Sequence, residues 1–146
     1  MTKLNYKSLF KYLLVLLWMI VIFKFSSDPA DVSDGKSGLV IQELTSLGID
    51  VNGIFGNLAN FVVRKAGHFT EYFIFFILLI NAVKEGNSLS KSFKIAILIT
   101  FFYACSDEIH QLFVPGRSGR FTDVLIDTSG GLLAAGILKH IEKRNK

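Results

Sequence analysis

Apolar residues fall in four long blocks, roughly Leu9–Phe25, Ala66–Val83, Phe93–Phe113 and Phe121–Leu138, separated by polar stretches. A helix of about 20 apolar residues crosses the hydrocarbon of a bilayer. The pattern therefore predicts an all-α integral membrane four-helix bundle, with residues 1–146 forming a single domain. Between the first two blocks, Asp28-Pro29 predicts a helix break, and Asp28, Asp31, Asp34, Gly35 and Gly38 an acidic loop. Leu39, Val40, Leu44 and Leu47 then recur at helical spacing ahead of Gly48, a C-terminal stop. Ile54, Phe55, Leu58, Ala59, Val62 and Val63 repeat the pattern. This external segment is thus expected to hold one or two short amphipathic helices, at the membrane surface or capping the bundle. Lys84–Ser92 predicts a tight turn. In Val114–Arg120, Pro115-Gly116 suits the central positions of a type II turn. In the last span, Gly130/Ala134 and Gly131/Ala135 are four apart, the spacing that lets helix backbones approach closely in lipid.

Composition agrees with a lipid environment: 51% of residues are hydrophobic, 14 are Phe, and the mean hydropathy is +0.45. The single Cys105 cannot form an internal disulfide, and no Cys/His spacing marks a structural zinc site. The net charge of +4 does not imply nucleic acid, because of how it is distributed. With four spans, the side holding both termini and the Lys84–Lys94 loop has ten basic residues and two acidic ones. The other side has six basic and ten acidic residues, so +8 and −4 sum to the net +4. Lys and Arg concentrate on the cytoplasmic side, which predicts that both termini are cytoplasmic. The first block lacks a good small-residue cleavage site and is expected to remain as an anchor.

The unusual polar residues all fall on the opposite, external side. Arg64, Lys65, His68, Glu71 and Tyr72 open the second span, with Arg64, His68 and Glu71 along one helical stripe. Asp107, Glu108, His110 and Gln111 close the third, Glu108 being offset by about 100° from the face of Asp107. Arg117 and Arg120 lie in the outer turn, and Asp123 and Asp127 share a line with Gly130 in the fourth span. Ionisable residues in a membrane span are costly and mark functional sites by default. Three helices are therefore expected to aim these stripes into one outward-opening cavity. Two carboxylates and two imidazoles near one another can hold a metal, but these spacings form no recognised ligand motif, and neither metal nor cofactor is expected.

With these residues in view, the chain resembles the VanZ-like family of small bacterial membrane proteins. Phe25-Ser26-Ser27, followed by Ser33 and Ser37, resembles the stretch after that family's first span. Arg64-Lys65-Ala66-Gly67-His68-Phe69-Thr70-Glu71-Tyr72 resembles its Lys-x-x-His-Phe-x-x-Tyr pattern. Asp107-Glu108-Ile109-His110-Gln111, with Phe113 and Pro115-Gly116-Arg117, resembles its most specific signature, followed by Asp123 and Gly130. The chain departs from the family at Asp127, where many members carry Asn, which adds a negative charge. The resemblance implies a multi-pass protein of the plasma membrane and a link to resistance against the glycopeptide teicoplanin. It implies no reaction.

Three functions fit this pattern. An enzyme would clamp a lipid-linked or wall-linked anion with Arg64, Lys65, Arg117 and Arg120. In it His68, Glu71, Asp107 and Glu108 would be the candidate catalytic groups. Tyr72, Gln111, Asp123 and Asp127 would complete the binding set. A non-catalytic binding or shielding protein would hold a membrane lipid or lipid-linked cell-wall precursor with the same basic groups. A scaffold would use the charges only as interhelical ion pairs. Polar residues at one end of four spans offer no route to the other side, which argues against a channel. No oligomeric state follows from the sequence.

Overall fold

The computed structural model describes residues 6–144; Lys3 and Lys146, which entered the charge count, lie outside them. All regular structure among the described residues is helical: α1 (Tyr6–Ser26), α2 (Ala30–Ser46), α3 (Val51–Phe55), a 3-10 turn (Gly56–Leu58), α4 (Ala59–Val83), α5 (Leu89–Gln111) and α6 (Phe121–Arg144). Four helical segments, Tyr6–Ser26, Val51–Val83, Leu89–Gln111 and Phe121–Arg144, are long and apolar enough to cross a membrane. The shortest, at 21 residues, measures about 32 Å at 1.5 Å per residue, the thickness of the hydrocarbon core.

The core is assembled around α4. Its second half places Tyr72, Phe75 and Phe76 wholly out of solvent, against Ile22 of α1, Ala96 and Ala104 of α5, and Ala134 and Ala135 of α6. The closest approach is between α4 and α6, where Gly130 leaves no room for a side chain: a Cβ there would strike the Phe69 carbonyl. Gly131 lies similarly against Thr100 and Phe76. The small-residue spacing read from sequence thus sets this helix contact. α1 runs antiparallel to α4, with Trp18 Nε1 donating to the Glu71 carbonyl at 2.9 Å, and Tyr103 Oη of α5 donating to the Met19 carbonyl at 2.7 Å. The outer faces of the bundle carry half-exposed Leu13, Leu17, Phe23, Phe102, Leu125 and Leu132. A continuous apolar belt of this kind is matched by lipid and not by water.

Several expected boundaries move. α4 begins at Ala59, not Ala66, so Arg64 and Lys65 sit within the helix and not before it. α5 starts at Leu89 and ends at Gln111, two residues short of Phe113. The larger correction is at 28–38, where an acidic loop was expected. Pro29 does end α1, but a 17-residue helix starts directly after it. Pro29, with φ fixed at −52°, stands at its N-cap. The Ala30 N–H donates to the Pro115 carbonyl at 3.1 Å, so the outer turn supplies an acceptor for the helix start. Ser33, Ser37 and Ile41 form the buried face of α2, while open space surrounds Gly35 and Gly38. Gly48 ends the segment with φ +88°, the left-handed conformation glycine tolerates. The type II turn forms as expected, with Gly116 at φ +72° and the Arg117 N–H donating to the Val114 carbonyl at 3.1 Å.

The two ends of the bundle are chemically distinct. At one end, Lys11 of α1 pairs with Glu85 after α4, and Lys139 of α6 lies over the Phe93 ring of α5. The described chain ends and the α4–α5 turn are therefore together. The C-terminus of α1, the start of α4, the end of α5 and the start of α6 meet at the other end, where the candidate polar residues collect.

Candidate functional site

The polar end has an outer rim and a floor. Apart from the Arg120 guanidinium, which donates to Ser118 Oγ at 3.2 Å within the outer turn, each rim charge has a partner on another element. Arg64 donates to Asp34 Oδ1 of α2 at 2.7 Å, and Lys65 pairs with Asp123 of α6. Glu108 Oε2 accepts the backbone N–H of Arg120 at 2.8 Å, anchoring the start of α6 to the end of α5. Arg117 Nε donates to the Asp28 carbonyl at 3.0 Å, and Nη2 reaches the Phe25 carbonyl at 3.5 Å. Phe25 lies in the last turn of α1 and Asp28 in the connection to α2, so Arg117 ties the outer turn to the end of α1. Burial pushes the Arg117 guanidinium below its ordinary pKa, and the like charge of Arg64 acts in the same direction.

The rim encloses a cavity of about 200 Å³ lined by Arg64, Lys65, Gln111, Arg117, Arg120 and Asp123, among others. Four basic side chains face a single acidic one there. A second cavity, of about 170 Å³, shares Arg64 and Arg117 and leads past Ser33 and Ser37 to His68 and Glu71.

The floor lies one turn deeper. His68 of α4, Asp107 of α5 and Asp127 of α6 each bring one ligand-type atom within 4.8 Å of the other two. His68 Nδ1 and Asp127 Oδ1 are 3.5 Å apart, beyond the range of a strong N–H···O bond. No hydrogen bond reaches either oxygen of Asp127, which is 0% exposed, or Oδ2 of Asp107, which is 3% exposed. Ser26 and Gln111 flank Asp107, and the buried Tyr72 hydroxyl, near both carboxylates, also has no partner. These three residues are the ones in the described chain placed to hold a metal ion.

The expected set is therefore not brought into one cluster. The stripe on α4 divides: Lys65, His68 and Tyr72 turn toward α6 and the interior, whereas Arg64 turns to α2. Glu71 lines the second cavity, and its carbonyl is held by Trp18. Glu108 and His110 leave the cluster. Glu108 faces the outer turn; His110 Nε2 lies 3.0 Å from Ser27 Oγ, with its ring 4.4 Å from that of Phe23. Ser27 Oγ donates to the Phe23 carbonyl at 2.6 Å, so its lone pair accepts the His110 N–H. Sequence reasoning placed Asp28, Asp34 and the two serines of α2 in the external segment but missed them as residues of the site. The signal was present as period-four polar positions, Ser33 and Ser37, in a stretch whose glycines read as loop.

The sequence profile of the VanZ/LLP1 family matches residues 10–142, nearly the whole chain. No curated protein and no solved structure matches. The chain belongs to the VanZ/LLP1 family and is a multi-pass membrane protein.

Proposed function

We propose that this VanZ-family protein spans the plasma membrane with both chain ends in the cytoplasm and holds an anionic cell-envelope component at its outer end. The excess of Lys and Arg beside the chain ends supports that orientation. The observation that carries the binding reading is the rim cavity, where Arg64, Lys65, Arg117 and Arg120 converge against Asp123 alone. Arg64 and Arg117 each commit only part of a five-donor guanidinium to the protein, leaving planar donors for a phosphate or carboxylate. An anion seated between them offsets the mutual repulsion of the two guanidinium groups. A lipid headgroup or the phosphate of a lipid-linked wall precursor has the right charge and arrives from the outer leaflet. The exposed Leu39, Leu47, Ile54 and Leu58 on the α2–α3 segment suit the boundary of that leaflet. Holding a wall precursor there is a route to teicoplanin resistance.

A scaffold reading draws on one specific feature: every rim pair joins two different elements. The readings separate by experiment. Native mass spectrometry of the detergent-purified protein should find anionic lipid retained by the wild type. Retention should drop about tenfold or more in Arg64→Gln with Arg117→Gln, and weaken with salt. Arg117→Lys should not restore it, because a point charge does not replace the planar fork. Unchanged lipid retention in the double variant, with lower abundance in membranes, would favour the scaffold.

A further inference from the structure

We propose that His68, Asp107 and Asp127 bind one divalent transition-metal ion, of the zinc or manganese kind, at the floor of the polar end. The proposal does not rest on the anion-binding reading, since none of the rim residues is a ligand.

Geometry supports it first. The three candidate atoms come from three helices and lie within 4.8 Å of one another. The His68 Nδ1 to Asp127 Oδ1 separation of 3.5 Å is close to the roughly 3.3–3.5 Å between two ligands of one tetrahedral ion with bonds of about 2.0–2.2 Å.

The second observation is that no hydrogen bond satisfies these buried atoms. Both Asp127 oxygens are fully buried without a hydrogen bond, as are Asp107 Oδ2 and His68 Nδ1. A carboxylate removed from water needs a cation, a proton or donors. Apart from His68 itself, the nearby basic groups are committed elsewhere: Lys65 to Asp123, Arg64 to Asp34, Arg117 to the Phe25 and Asp28 carbonyls. A dication between the carboxylates satisfies all four atoms at once. One imidazole and two carboxylates suit zinc, manganese or ferrous iron, and neither an all-oxygen calcium cage nor a thiolate site. Three protein ligands leave a further position for water or a bound anion. The unpartnered Tyr72 hydroxyl, near both carboxylates, is placed to orient them as a residue outside the ligand shell. The second cavity reaches His68 from the surface and provides an entry path.

The test uses the full-length protein in detergent, stripped with EDTA and titrated calorimetrically with zinc chloride and, separately, manganese chloride. One ion per chain is expected for at least one of the two metals. Asp127→Asn and His68→Gln should each weaken binding by more than about 100-fold, beyond what loss of an outer-shell partner costs. His140→Gln, in the tail, should leave it unchanged. X-ray absorption of the loaded wild type should show one imidazole among nitrogen and oxygen scatterers, a readout that needs no variant to fold. Failure of both metals to bind, or binding that survives Asp127→Asn in folded protein, overturns the proposal. So does an absorption spectrum without imidazole.

Discussion

The rim and the floor of the polar end lie within two helical turns of each other, yet satisfy their charges in opposite ways. On the rim, Lys65 meets Asp123 and Arg64 meets Asp34, and the Arg120 N–H meets Glu108. On the floor, Asp107 and Asp127 face His68 and one another with unpaired oxygens. A group that only fastens helices gains nothing from being left unpaired in a dry interior. The ion pairs of the rim therefore account for themselves as structure, while Arg64 and Arg117 keep donors for a ligand; the floor carboxylates have no such account. Stability measured in micelles by thermal melting can separate them, because the same kind of substitution should act with opposite sign in the two layers.

The largest expected effect comes from breaking both layers together. Gly130→Ala places a Cβ on the Phe69 carbonyl, a backbone atom that cannot swing aside. Overpacking of this kind costs about 3 kcal/mol when the neighbour cannot yield, and α6 must move away from α4. Lys65–Asp123 and His68–Asp127 span the same helix pair, so ion pairing and metal uptake should fail together. Gly136→Ala, with open space around it, is the matched control and should be near neutral. If Gly130→Ala melts like the control, the close α4–α6 approach is wrong, and with it the geometry of the floor.

Next come the substitutions of opposite sign. Lys65→Ala strands Asp123 in a pair whose side chains are only 16% and 11% exposed. The expected loss is about 1–3 kcal/mol, between the values for exposed and buried pairs, and Lys65→Ala with Asp123→Ala should recover part of it. Asp127→Asn in the presence of EDTA should instead hold or raise stability by about 1–2 kcal/mol, since it removes a buried charge without donors. At zinc a hundredfold above its Kd the wild type should gain about 2.7 kcal/mol by mass action, and the Asp127→Asn protein less than about 0.4 kcal/mol. A destabilised Asp127→Asn in EDTA would place the floor in the same class as the rim.

How much of this was legible beforehand follows from what periodicity encodes. Four spans, the small-residue contact at Gly130 and the convergence of three polar stripes were readable, because each is a property of one helix and its faces. The helix at Ala30–Ser46 was not. Its glycines and aspartates read as loop, while its start depends on a hydrogen bond to Pro115, 85 residues away. The division into rim and floor was also invisible. A stripe tells which way a residue points, not whether its neighbour arrives at 2.7 Å, as Asp34 does for Arg64, or 3.5 Å, as Asp127 does for His68. For the same reason no ligand motif appeared: the three floor residues are consecutive in space and spread over 60 positions of sequence.

The smallest effect belongs to the opposite end of the bundle, and it tests whether ordinary pairing behaves as the rim comparison assumes. The Lys11 ammonium, and after it the Ser8 hydroxyl, hold the Glu85 carboxyl below its ordinary value of 4.5. A depressed folded-state pKa means that the pair stabilises the protein above that ordinary value. The contribution is then lost as pH falls through the lower, folded-state one. Melting temperature should therefore fall on acidification below pH 4.5 somewhat more steeply in the wild type than in Glu85→Gln. The difference should shrink at high salt, because a solvated pair is screened. Glu85→Gln lies across the bundle from His68 and should leave zinc and lipid binding untouched. Parallel acid limbs for the two proteins would mean that the Lys11–Glu85 contact contributes nothing. A change in metal affinity would mean that the two ends of the bundle are coupled, and the floor could not then be treated as a local site.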